Sequence, residues 1–200
     1  AFSQMSEGSS SGYENNYASC PATADEIVAD TTLGKNVLKF FSKGDGGAQP
    51  GACNGVLVLG KAFEKGKNIM EFEVMSKDTK GERKLGLRVT SKELPGLITM
   101  KEGNFVGPTG TVWMPYETGR WYPVKIVFDY ANSRVETYID NTLVSTDAVS
   151  AANYTASTTS MRLLMSGDTT KDAETTMFLS DLSISQPLYE IGQISATQNG

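Results

Sequence analysis

"GRWYPVKIVFDYANSRVETYIDNTLV", residues 119–144, holds two alternating runs on either side of a polar turn. In the first, Val124, Ile126 and Phe128 fall on one side and Lys125 and Asp129 on the other. In the second, Val135, Thr137 and Ile139 alternate with Arg134, Glu136, Tyr138 and Asp140. A period of two marks a strand with one buried face, because successive side chains leave the pleat on opposite sides. Between the runs, "DYANSR" supplies Asp, Asn and Ser, whose side chains bond nearby backbone and favour tight loops. "DNT" at 140–142 predicts a second turn before Leu143 and Val144. The stretch therefore predicts an antiparallel hairpin that builds core, at ~1.5–3 kcal/mol per fully buried side chain. Its aromatic entrance is more than core building needs.

The same period recurs along the chain. In "NIMEFEVMS", Met70, Phe72 and Val74 oppose Glu71, Glu73 and Met75; in "RKLGLRVTS", Leu85, Leu87 and Val89 alternate with Gly86 and Arg88. "NVLKFFS", "GVLVLGK", "SMRLLMS" and "TMFLSDLSIS" are further strand candidates, giving about nine strands. Only "PATADEIVADTT" and "STDAVSAANYTAS" could form a short helix, and their small and β-branched residues weaken that reading. Many alternating strands with long connections predict an all-β fold of two antiparallel sheets, a sandwich of the jelly-roll kind.

Length and composition bound the rest. The chain has 200 residues, 39% hydrophobic, with a net charge of -5. That length suits one domain with a core of its own; residues 1–188 are expected to form it, and residues 189–200 a tail or linker. No basic run is present, so a nucleic-acid partner is not expected. No window is apolar enough to span a bilayer, so membrane insertion is not expected. The opening "AFSQMSEGSSSG" lacks signal-peptide regions, and "ISATQNG" reads as a linker towards further domains of a larger protein. Cys20 and Cys53 are the only cysteines. A disulfide between them would close a loop of about thirty residues, stabilise by roughly 3–4 kcal/mol and imply an oxidising compartment. Two unrelated thiols are the alternative.

Four stretches carry a family resemblance. "GKNVLKFFSKGDGG", "KAFEKGKNIMEFEVMSKD", the hairpin 119–144 and the closing "AETTMFLSDLSISQP" together resemble the concanavalin A-like jelly roll of secreted bacterial carbohydrate-binding modules and polysaccharide lyases. The resemblance covers residues 2–188. It implies a two-sheet antiparallel sandwich, an extracellular setting and a polysaccharide or oligosaccharide partner, with starch or another plant glycan among the candidates. Fold alone does not give function.

The chain contains no His, which removes the usual base of hydrolytic triads. Lyases similar in fold often use His with Tyr, so a Tyr-Lys or Tyr-Arg variant would be needed here. Glu71 and Glu73 lie two apart on one strand, about 6.5–7 Å along the backbone, against ~5–5.5 Å between the carboxyl groups of retaining glycosidases. Glycosidases similar to laminarinase add a third acid on such a strand, where this chain has Met75 and Ser76.

Aromatic residues point to binding. Trp113, Tyr116 and Trp121 are the candidate platforms for the apolar faces of sugar rings, with Glu73, Arg88 and Arg162 as hydrogen-bonding partners for hydroxyl pairs. Asp45 and Asp181 are candidate calcium ligands, and the resemblance implies a structural calcium held in part by an Asp of the last strand, which Asp181 matches. The expectation is a non-catalytic, secreted glycan-binding module. The alternatives are a polysaccharide lyase or glycosidase using Glu71 and Glu73 or a Tyr-Arg pair, and a structural or adhesion domain that binds protein.

Overall fold

A computed structural model describes residues 2–7, 23–43, 53–58, 66–89, 92–129, 131–148, 158–166 and 173–187. The described chain is nearly all β. Strands are numbered along the chain. The larger sheet runs in the order β1 (Thr23–Asp30), β2 (Lys35–Lys43), β13 (Glu174–Leu179), β4 (Lys67–Met75), β9 (Tyr122–Asp129), β10 (Arg134–Ile139) and β11 (Thr142–Ala148). The short β14 (Ser183–Ser185) pairs with β4 beyond β13. The smaller sheet runs β3 (Cys53–Val58), β12 (Thr158–Ser166), β5 (Glu82–Val89), β6 (Lys92–Lys101), β7 (Asn104–Val106) and β8 (Val112–Pro115). Every pairing is antiparallel. The fold is the two-sheet jelly-roll sandwich.

The 119–144 hairpin lies inside the larger sheet. Asp129 pairs with Arg134 and Val124 with Ile139, in the register its alternation requires. Its loop is tied by Asp129, which accepts from the Asn132 backbone at 3.1 Å and from the Asn132 side chain at 2.9 Å. The next turn is two residues long: Asp140 and Asn141 sit at φ 52 and 62 between the paired Ile139 and Thr142. Positive φ at both positions is the twist a two-residue hairpin demands, and Asp and Asn tolerate it best after Gly.

Met70, Phe72, Val124, Ile126, Phe128 and Ile139 bury one face of the larger sheet against Leu85, Ile98, Met100 and Phe105 of the smaller. On the opposite, outer face of the larger sheet, Val37, Met75 and Phe178 form a second small cluster, with Trp121 packed on it.

One element differs from the sequence reading. The candidate helix "PATADEIVADTT" is β1 over Thr23–Asp30, paired residue for residue with β2. Its Ala and Glu favour helix locally, but Ile27, fully buried, joins the sandwich core. Tertiary burial outweighs a propensity difference of a few tenths of a kcal/mol per residue, about 0.7 at most. Of the second candidate, 145–148 belongs to β11, and 149–157 lies outside the described residues.

Candidate functional site

The outer face of the larger sheet gathers polar side chains into an open cleft of about 460 Å³. Alternation on β4 turns Glu71 and Glu73 away from the core while Met70, Phe72 and Val74 enter it. In register, Glu71 is opposite Lys125 on β9, and Lys125 is opposite Tyr138 on β10. Lys35, Asn141 and Asp181 complete the wall. Glu73 is held in place: Lys35 Nζ lies 3.4 Å from its carboxylate, and its backbone N–H donates to Ser180 Oγ at 2.7 Å. Lys125 Nζ sits 5.2 Å from the centroid of the Tyr138 ring. The Tyr138 hydroxyl donates to Glu136 at 3.0 Å, and that bond to a carboxylate raises the phenol pKa. Among the described residues, Glu71 and Asn141 have no side-chain hydrogen bond or ion pair.

The smaller sheet presents a different chemistry. Its middle strands set Arg162 opposite Gly86 on one side and Val56 on the other, and Arg88 opposite Ser160 and Glu93. The side chains of Arg88 and Arg162 lie outside the described residues. Lys84 pairs with Glu82, and Lys101 Nζ lies 3.7 Å from the same carboxylate. The structure therefore separates the polar residues read from the sequence, with Glu73 on one sheet and Arg88 and Arg162 on the other.

The aromatic candidates do not form one platform. Tyr116 is buried, 6% exposed, with its ring 5.5 Å from Phe105 and its hydroxyl donating to the Asp78 carbonyl at 3.0 Å. Desolvation by burial pushes its pKa up. It is a core residue, which corrects the expectation of an exposed stacking ring. A phenol whose one polar atom finds a backbone acceptor can enter the core at little cost. Trp113 is the extra residue of a β-bulge, since Phe105 pairs with Met114 and Val106 with Val112. The bulge lays its indole over Gly107 and against the main core. Trp121 packs on the outer cluster of the larger sheet, and its indole N–H is buried without a partner among the described residues.

Asp181 accepts from the Ser3 backbone at 3.1 Å and from the Ser3 hydroxyl. Among the described residues no three acids converge on a common point, so the described side chains do not supply the six to eight oxygens of a calcium site. Asp45, Cys20 and the Cys53 side chain, and with them the disulfide, lie outside the described residues. Lys35, Ser180 and Asn141 were missed in the sequence because only the pairing of distant strands brings them to the cleft. Tyr138 is an outward position of the hairpin in the sequence, but its place in one row with Lys125 and Glu71 follows only from the pairing of β10 with β9 and of β9 with β4.

No family model matches the chain, and no curated protein matches it. Solved structures do. A sialidase aligns at TM-score 0.61 and 14% identity over 84% of this chain; this chain spans 16% of that protein. The alginate lyase AlgAT5 from polysaccharide lyase family 7 aligns at TM-score 0.56 and 14% identity, over 81% of this chain and 82% of that one. The alginate lyase from Corynebacterium sp. aligns at 0.52 and 10% identity, over 84% and 82%. At these identities the likeness is one of fold. It nonetheless corrects the expectation of a non-catalytic module, which rested on the absence of His and on the aromatic residues of the 113–122 stretch. The structures matched along about four fifths of both chains are enzymes.

Proposed function

We propose that this domain is a polysaccharide lyase acting on an acidic, uronate-containing glycan. The observation that carries the proposal is the cationic register of the smaller sheet in an otherwise acidic chain. Lys84, Arg88, Lys92, Lys101 and Arg162 lie on β5, β6 and β12 against Glu82 and Glu93, while the whole chain carries -5. The register sets an acid opposite Arg88 and Lys101 and none opposite Arg162. The domain-length likeness to alginate lyases supports the same class of reaction.

Cleavage by β-elimination asks three things of a protein. A cation must draw charge from the uronate carboxylate so that the proton on the adjacent carbon becomes acidic; Arg does this best, by two parallel N–H bonds. A base must take that proton, and an acid must protonate the departing glycosidic oxygen as the C–O bond breaks and a C=C bond forms. Arg162 is the residue on which we place the first role, with Arg88 beside it. With no His in the chain, proton transfer falls to a Tyr or Lys. The partner is thus a polysaccharide, and a polymer too large to cross a membrane supports an extracellular setting.

The test is to incubate the folded chain with polymannuronate, polyguluronate and polygalacturonate and follow the ultraviolet absorbance of unsaturated uronate ends. Product is expected from at least one, and Arg162→Ala should lower its rate roughly 100-fold, the scale of losing one preorganised charge-stabilising group. Folded protein that yields no unsaturated product from any of the three overturns the proposal.

A further inference from the structure

The cleft on the outer face of the larger sheet lies on a different sheet from the strands that carry Arg88 and Arg162, and its chemistry suits a different ligand. We propose that it is a second, non-reacting site of the enzyme that takes a short run of uncharged pyranose rings. Its volume, about 460 Å³, falls inside the range of small-ligand clefts, ~300–1,000 Å³. Glu71, Glu73 and Asp181 stand there against Lys35 and Lys125, so a polyuronate entering it would meet more like than opposite charge. A neutral sugar meets no such penalty.

The groups left without partners fit sugar hydroxyls. Among the described residues, the Glu71 carboxylate and the Asn141 amide make no side-chain hydrogen bond or ion pair. A carboxylate accepts from two adjacent hydroxyls at once, and an amide both donates and accepts. Between them the Tyr138 ring offers an apolar flank that costs little to order. It is fixed at its far end by Glu136 and alongside by Lys125. Glu71, Lys125 and Tyr138 form one row across three paired strands, so the spacing is set by the sheet before any ligand arrives.

The experiment titrates cellohexaose, mannohexaose and xylohexaose in turn into the full chain by calorimetry, with a mannuronate hexamer as the anionic control. Saturable binding of at least one neutral hexamer is expected. Glu71→Gln and Asn141→Ala should each weaken it roughly tenfold, the scale of one lost hydrogen bond to a charged or well-placed polar group. Arg162→Ala should leave it unchanged, and the mannuronate hexamer should not displace it. Failure of all three neutral hexamers to bind overturns the proposal, as does undiminished binding in both cleft variants. Loss of binding in Arg162→Ala also overturns it, since one shared site would then serve both ligands. Each outcome is read without reference to lyase activity, so absence of cleavage and absence of this site are separate results.

Discussion

Asp129 closes the loop on which the central hairpin depends, and it does so as an anion. The side-chain bond from Asn132 contributes most to holding its pKa below the ordinary Asp value, with the Asn132 backbone and Lys67, 3.4 Å away, adding to it. A carboxyl whose folded pKa is depressed stabilises the fold fully above its unfolded pKa, ~3.9, and loses that contribution as pH falls through the lower folded value. Acid should therefore reduce the Tm of the native chain more steeply than that of Asp129→Asn, while at neutral pH the variant is less stable by about 1–2 kcal/mol. Thermal melts of both proteins between neutral and strongly acidic pH measure this; parallel curves would contradict it. At Gly107 the constraint is steric. A Cβ built there would lie 2.5 Å from the Trp113 ring, and the indole is a rigid plane held by the bulge. Gly107→Ala should cost about 1–3 kcal/mol through overpacking. Trp113→Leu, although costly alone, should recover part of that loss in the double variant, as a denaturant-melt cycle would reveal.

Between the sheets, one buried cation ties three elements together. Arg83 on β5 is fully buried; it donates through Nε to the Thr176 carbonyl of β13 at 2.7 Å and through Nη1 to the Lys80 carbonyl at 3.0 Å, and it pairs with Asp78. The Tyr116 hydroxyl reaches the same segment at the Asp78 carbonyl. Removing Asp78 leaves the guanidinium without its counter-ion away from water. Asp78→Ala should cost about 3 kcal/mol, at the low end of the range for breaking a buried pair because the carboxylate keeps some solvent. In an Arg83→Met background the same change should cost under ~1 kcal/mol. Equal costs in the two backgrounds, by urea melts, would mean the pair is not coupled. At this scale the sequence was most readable where burial follows a strict period of two, as in β4, β9 and β10. It was least readable where local preference and tertiary position disagree. Ala24 and Glu26 favour helix, yet they belong to a strand that places Ile27 in the core. Tyr116, following Pro115 in a stretch rich in aromatics, has the local look of a surface loop residue, and only the position of Asp78 lets it go inside. The cleft was half legible: Glu71 and Glu73 follow from alternation, whereas Lys35, Ser180 and Asn141 arrive through pairings far apart in the chain.

Across the whole molecule, the strands on which the proposed polyuronate site is placed carry Lys84, Arg88, Lys101 and Arg162 in a chain with net charge -5. On the proposed reading, a polyuronate approaching the smaller sheet meets the repulsion of the entire protein at long range and the attraction of Arg88, Arg162 and their neighbours at short range. Salt separates the two. At ~0.01 M ionic strength the Debye length is ~30 Å, so distant acids on the other face are felt; at ~0.15 M it is ~8 Å, and only the local cations remain. At ~1 M it is ~3 Å, and the local attraction is screened as well. In the proposed lyase reaction, the KM for an acidic polysaccharide should therefore pass through a minimum at intermediate ionic strength, while the affinity of the proposed second site for a neutral hexamer should hardly move. Initial rates across a salt series give the first, and calorimetry in the same buffers the second. A KM that rises steadily from the lowest salt upward would mean that the local cations outweigh the net charge at every range, and a single site for both ligands would show the same salt dependence in both measurements.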